Sequence, residues 1–122
     1  MTGRARIEWW FSALCAIPWL LIVGVYTEAC VGRLVLSRWP RPMFDDPKQF
    51  APAPLVWTVN VLELSFVVAI PVLTGLALRN WRKVLTDWRY SVLIGVFAAG
   101  LLAIFILSTA YDPGRVWKWF WD

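Results

Sequence analysis

A chain of 122 residues that is 60% hydrophobic, with a mean hydropathy of +0.60, carries more hydrocarbon than one small soluble core can enclose. Its net charge of +4 arises from Lys and Arg lying mostly just beyond the apolar segments, a placement explained by membrane orientation and anionic headgroups, which argues against a nucleic-acid partner. Histidine is absent, so the commonest metal, haem and proton-transfer group is missing and no cofactor or catalytic residue is expected.

The first apolar segment predicts a helix over residues 7–36, with its lipid-buried portion from Trp9 to Thr27, long enough to cross a hydrocarbon core of about 30 Å. Pro18 removes a backbone hydrogen bond to Leu14 and predicts a modest kink. Arg4 and Arg6 ahead of an apolar run, and Cys30 after Thr27-Glu28-Ala29, superficially resemble a lipoprotein signal. Glu28 fits such a cleavage site poorly, so the segment is expected to remain as an anchor. Cys15 and Cys30 are fifteen residues apart on this helix, roughly 22 Å at its rise, too far for a disulfide within it. Gly24, Glu28 and Gly32 recur every four residues and form a narrow strip where another helix can approach closely.

Residues 37–54 form the one substantial loop. Its five prolines (Pro40, Pro42, Pro47, Pro52 and Pro54) predict extended or turn structure without regular helix, pre-set enough to be ordered. Within it, Trp39 and Phe44 are expected to contact a partner or the headgroup layer, and Asp45 and Asp46 read as solvated turn residues. A second helix is predicted over 55–78 with Pro71 inside it, then a short basic connection through Arg79, Arg82 and Lys83, and a third helix over 90–111. Short connections predict a compact up-down-up bundle. On the third helix Gly95 and Ala99, with Ser91 and Ala98, fall on one broad face of small residues. Asp112-Pro113-Gly114-Arg115 turns the chain, and Val-Trp-Lys-Trp-Phe-Trp closes it as an interfacial anchor.

Nine of the ten tryptophans support these borders: Trp9, Trp10, Trp39, Trp57, Trp81, Trp88, Trp117, Trp119 and Trp121 lie where segments meet the headgroups, and only Trp19 lies inside. Amphipathic indoles favour that zone. The whole chain, 1–122, therefore reads as a single all-α domain: a three-helix transmembrane bundle with a Pro-rich extramembrane loop and an aromatic tail. Basic residues divide six against six between the two sides, so their count gives no orientation; the cluster in the second connection places the N-terminus in the cytoplasm.

Glu63 lies well inside the second apolar segment, where an ionised carboxylate costs several kcal/mol unless paired. By helical phase Asn60, Glu63, Val67, Ile70 and Thr74 share one face, which is expected to point into protein. Antiparallel threading brings Tyr26, Thr27 and Glu28, with Ser108, Thr109 and Tyr111, to the same depth. A polar seam built from Asn60, Glu63, Tyr26, Glu28 and Thr109 follows. It serves either as a fastener between helices or as a proton-binding site.

The stretch Trp39-Pro40-Arg41-Pro42-Met43-Phe44-Asp45-Asp46-Pro47-Lys48 resembles a W-P-x-P-x-x-x-D-P-K pattern that recurs in small bacterial membrane proteins of no assigned activity. The resemblance implies a bacterial inner-membrane location and transfers no catalytic residue. With no nucleotide loop, no histidine-activated nucleophile and two small-residue faces, the chain is expected to be a non-catalytic accessory subunit of a larger membrane assembly, respiratory or photosynthetic. Such a subunit contacts lipid and other membrane-protein subunits. The alternatives are an oligomeric small transporter coupled through Glu63, or a quinone- or lipid-contacting subunit of a membrane enzyme.

Overall fold

A computed structural model of the chain describes residues 3–121, with side chains from residue 9 onward, so the side chains of Arg4 and Arg6 and all of Asp122 lie outside the described residues. Helix α1 runs from Gly3 to Leu36 and continues through Pro18. Ser37, with φ of 56°, ends it in the left-handed conformation common just past helix ends. A single turn, α2 (Pro47–Phe50), lies in the loop. Helix α3 spans Ala53–Arg79, α4 spans Trp81–Thr86 and α5 spans Trp88–Thr109. A 3-10 turn at Pro113–Arg115 leads into α6 (Val116–Trp121).

Three of these helices are long and apolar enough to cross a membrane: α1 from Trp9, α3 and α5. The architecture is all-α with three candidate spans, as the apolar lengths predict. Three short helices, α2, α4 and α6, were not expected from the sequence. Pro47 occupies the first helical position, where its missing N–H is not needed, and the Asp46 side chain accepts the Lys48 N–H at 2.9 Å as the N-cap, so a proline starts one turn here. The basic connection likewise winds into α4, and the Asp87 carboxylate caps α5 through the Arg89 N–H at 3.1 Å.

The spans do not form an evenly packed bundle. Helix α1 packs along both α3 and α5, whereas α3 and α5 have little direct contact with each other. A stripe on α1 at three- and four-residue steps, Phe11, Cys15, Pro18, Leu21, Val25, Glu28 and Gly32, is buried. Against it α3 turns Val56, Val59, Phe66, Ala69 and Leu73, and α5 turns Phe97, Gly100 and Ile104. Two close approaches fix the crossings. A Cβ added at Gly24 would meet Val59 Cγ2 at 3.2 Å, and one at Gly100 would meet Pro18 Cβ at 2.7 Å. Beside the second, the Trp19 indole N–H donates to the Val96 carbonyl at 2.9 Å. That bond matters in hydrocarbon, where an indole N–H has no water to turn to.

Two core clusters result. One, of Phe11, Cys15, Ala69, Leu73 and Phe97, lies toward the N-terminal end of α1. The other joins Leu21, Val25, Ala29, Val59, Phe66 and Ile104 to Val116, Trp117 and Trp119 of the tail. The tail therefore folds back onto the helices as part of a core. Its aromatics were expected to face the headgroups; Val116, Trp117 and Trp119 are instead buried against protein, and of the tail's aromatics only Trp121 is exposed, stacked on Trp117 at 6.0 Å between ring centroids.

Candidate functional site

Over the C-terminal end of α1, the loop and the tail close into a cap. Asp45 organises it. The Arg38 guanidinium donates to its carboxylate at 2.6 and 3.0 Å, the Arg41 backbone N–H donates at 2.6 Å, and the Trp119 indole N–H donates to its carbonyl at 2.7 Å. The Arg38 bonds, then the Arg41 N–H, hold the Asp45 carboxyl below the usual aspartate range, because each favours the charged form. Asp45 is thus a structural tie, not the solvated turn residue its sequence context implies; Asp46 does keep to a turn role as the α2 cap.

Trp39 is built into the same cap. The Arg33 guanidinium lies 4.6 Å from its ring centroid, and its ring packs on Gly114, where an added Cβ would meet Trp39 Cδ2 at 3.0 Å and where a φ of 70° favours glycine. The Asp112 carboxylate accepts the Trp117 and Lys118 backbone N–H groups, both at 2.9 Å, and so starts α6. Ser37, Met43 and Arg115, all with positive φ, belong to this cap, a conformation that persists only where surrounding contacts over-determine it. Trp39, expected to meet a partner or the headgroup layer, is half-buried and makes internal contacts with Arg33 and Gly114. Phe44 remains exposed.

Beneath this cap lies a cavity of about 510 Å³. Glu28 of α1 and Asn60 and Glu63 of α3 form one wall; Asp45, Asp46 and Phe44 of the loop and Trp119 and Phe120 of α6 form the other. Glu28 is the most buried charged side chain described, at 2% exposure. Glu63 is half-buried and Asn60 exposed. No hydrogen bond or ion pair reaches the carboxyl of Glu28 or Glu63 among the described residues.

The structure thus brings Glu28, Asn60 and Glu63 together and leaves the other two seam residues elsewhere. Thr109 is exposed and bonds its own helix, Oγ1 donating to the Phe105 carbonyl at 2.7 Å. The Tyr26 hydroxyl is buried without a hydrogen-bond partner, as is the Trp117 indole N–H. The expectation that the Asn60 face of α3 points into protein is corrected: Val67, Ile70 and Thr74 are exposed and the buried stripe is Val56 to Leu73. Shared phase groups residues on one face but does not fix which way that face turns.

Among the small residues, Gly24 and Gly32 are used internally; a Cβ at Gly32 would meet Pro40 Cγ at 2.7 Å and the Phe50 ring at 2.8 Å. Gly95 and Ala99 are exposed, and a Cβ at Gly95 would meet nothing within 4 Å. Gly100, the residue that seats α5 on α1, carries no signal in the sequence that separates it from Gly95.

A second cavity, of about 400 Å³, opens at the other end of the molecule between α1, α3, α4 and α5, with Phe11, Leu14, Leu76 and Tyr90 in its wall. It is chiefly apolar. Among the described residues no group of three or more His, Cys, Asp or Glu side chains is placed to hold a metal ion. No protein-family model, curated protein or solved structure matches this chain, so its reading rests on this geometry.

Proposed function

We propose that the chain is a non-catalytic accessory subunit of a larger assembly in a bacterial inner membrane, with its N-terminus in the cytoplasm. The observation that carries this reading is the outward strip on α5. Gly95, Ala98 and Ala99 are exposed, with open space beside Gly95, although the same helix uses Gly100 for its own packing. In lipid, helix association depends on close packing and not on the hydrophobic effect, so an outward run of small residues fits a neighbouring helix better than it fits acyl chains. The test is mild-detergent purification with identification of co-purifying proteins. Gly95→Leu with Ala99→Leu is expected to strip a partner while the thermal stability of the chain itself is kept. Full co-purification with the double variant would remove this reading.

A second reading, a small oligomeric transporter coupled to protons, draws support from one observation: Glu63 shares its cavity with a second carboxyl, Glu28, and a proton path needs more than one station. Under this reading Glu63→Gln abolishes proton-coupled uptake in vesicles while assembly survives. Under the accessory reading, Glu63→Gln changes neither assembly nor the activity of the assembly.

A further inference from the structure

The cavity beneath the cap has four carboxyl groups in its wall and no Lys or Arg. Two of the four are already occupied: Asp45 by Arg38 and Arg41, and Asp46 by the Lys48 N–H. Glu28 and Glu63 are not. Glu28 is the decisive one, because a carboxyl at 2% exposure without a hydrogen bond or ion pair among the described residues is ionised at low free energy only with a cation beside it. It lines the cavity, so the cation has a place to sit.

The shape of the site selects among cations. A bare metal ion wants several oxygen ligands around one point, and no group of three or more His, Cys, Asp or Glu side chains is placed to hold one among the described residues. A space of about 510 Å³ suits a cation carried on an organic body rather than a bare ion. Trp119 and Phe120 also line this cavity, and aromatic faces attract organic cations, quaternary and primary ammonium groups foremost. Depth narrows the choice further. Glu63 lies ten residues into α3, roughly 15 Å along its axis, and Glu28 lies within the first candidate span, so the cavity reaches from the cap into the level of the lipid headgroups and upper acyl chains.

We propose that this cavity binds an ammonium group, with Glu28 and Glu63 as its counter-ions and Trp119 and Phe120 as its aromatic wall. Two sources share that chemistry: the headgroup of phosphatidylethanolamine and a free amine. The proposal is independent of the accessory reading, since it concerns only residues of this chain.

The full chain in mild detergent, offered equal amounts of phosphatidylethanolamine and phosphatidylglycerol and examined by native mass spectrometry, is expected to retain the former at least about ten-fold over the latter. Glu28→Gln and Glu63→Gln are each expected to erase that preference. In a parallel arm, free ethanolamine is titrated against tryptophan fluorescence. A saturable response that Glu63→Gln removes, without lipid preference in the first arm, assigns the site to a soluble amine and keeps the proposal. Should Glu28→Gln fail to fold, Glu63→Gln decides, because its position on the half-exposed wall leaves the buried packing in place. Equal retention of both lipids together with no response to ethanolamine overturns the proposal. So does a Glu63→Gln variant that binds as the parent chain does.

Discussion

The two ends of this molecule use the same residue type in opposite ways. Where α1 stops, Trp39, Trp117 and Trp119 are drawn into a cap tied by Asp45, Asp112 and the left-handed turns at Ser37, Met43 and Arg115. Where α1 begins, Trp9, Trp10, Trp81 and Trp88 all face outward. Packing there runs through Phe11 on Tyr90 and the Ser91 hydroxyl on the Val84 carbonyl. A tryptophan at a segment border thus reports amphipathic surroundings without saying whether lipid or protein supplies them. What separates the ends is chain length: a loop of sixteen residues between α1 and α3 and a tail can fold back, whereas the connection around α4 is too short to cover anything.

Substitution of tryptophan should separate the ends most widely. Trp117→Ala removes a fully buried indole and is expected to cost about 3–5 kcal/mol of stability, while Trp88→Ala, at 70% exposure, should stay within about 0.5 kcal/mol. Thermal unfolding in mild detergent measures both. Similar losses for the two would remove the distinction.

Glycine substitution gives a smaller contrast. Gly32→Ala drives a methyl against the Pro40 and Phe50 rings at under 3.0 Å and should destabilise by about 1–3 kcal/mol. Gly95→Ala enters open space, and the change, at most about 1 kcal/mol, is expected in the stabilising direction. A well-tolerated Gly32→Ala would mean that the loop does not rest on α1.

Acid should loosen the capped end alone, and this is the mildest of the three effects. The Asp45 carboxyl is more acidic in the fold than in the unfolded chain, so its contribution is complete above the ordinary aspartate value of about 3.9. It is lost as pH falls through the lower folded value. The Trp119 indole N–H resonance is therefore expected to hold steady from pH 8 to about 5 and to shift toward its free position in stronger acid. Asp45→Asn should show the shifted signal at every pH. An Asp45→Asn resonance that coincides with the parent chain's at neutral pH would show that the tie contributes nothing.

Much of the fold is legible in the sequence because apolar length and border tryptophans are one-dimensional signals. The three spans lie within a few residues of their expected limits. Packing was less legible. Helices α3 and α5 carry apolar residues on every side, so periodicity does not single out Phe66 from Val67, or Gly100 from Gly95, and lipid accepts either face. The site was legible in part for the same reason. Glu63 and Asn60 stand out as polar residues within a span, but that Glu28 is the buried member of the group depends on how the loop and tail fold over it. That depends in turn on Arg38, Asp45 and Trp119, which are far apart in the chain and carry no shared pattern.

The position of α1 at the centre, with α3 and α5 each resting on it and barely on one another, has a consequence for biogenesis. A chain made from its N-terminus delivers the hub first, so each later span arrives to find its docking surface already in the membrane and neither needs to wait for the other. The cap obeys a different schedule. Its loop can settle early on Gly32 and Arg33 of α1, but the half supplied by Trp117 and Trp119 arrives last, so a nascent chain that stalls after α5 holds its three spans while the cap over Glu28 is still incomplete.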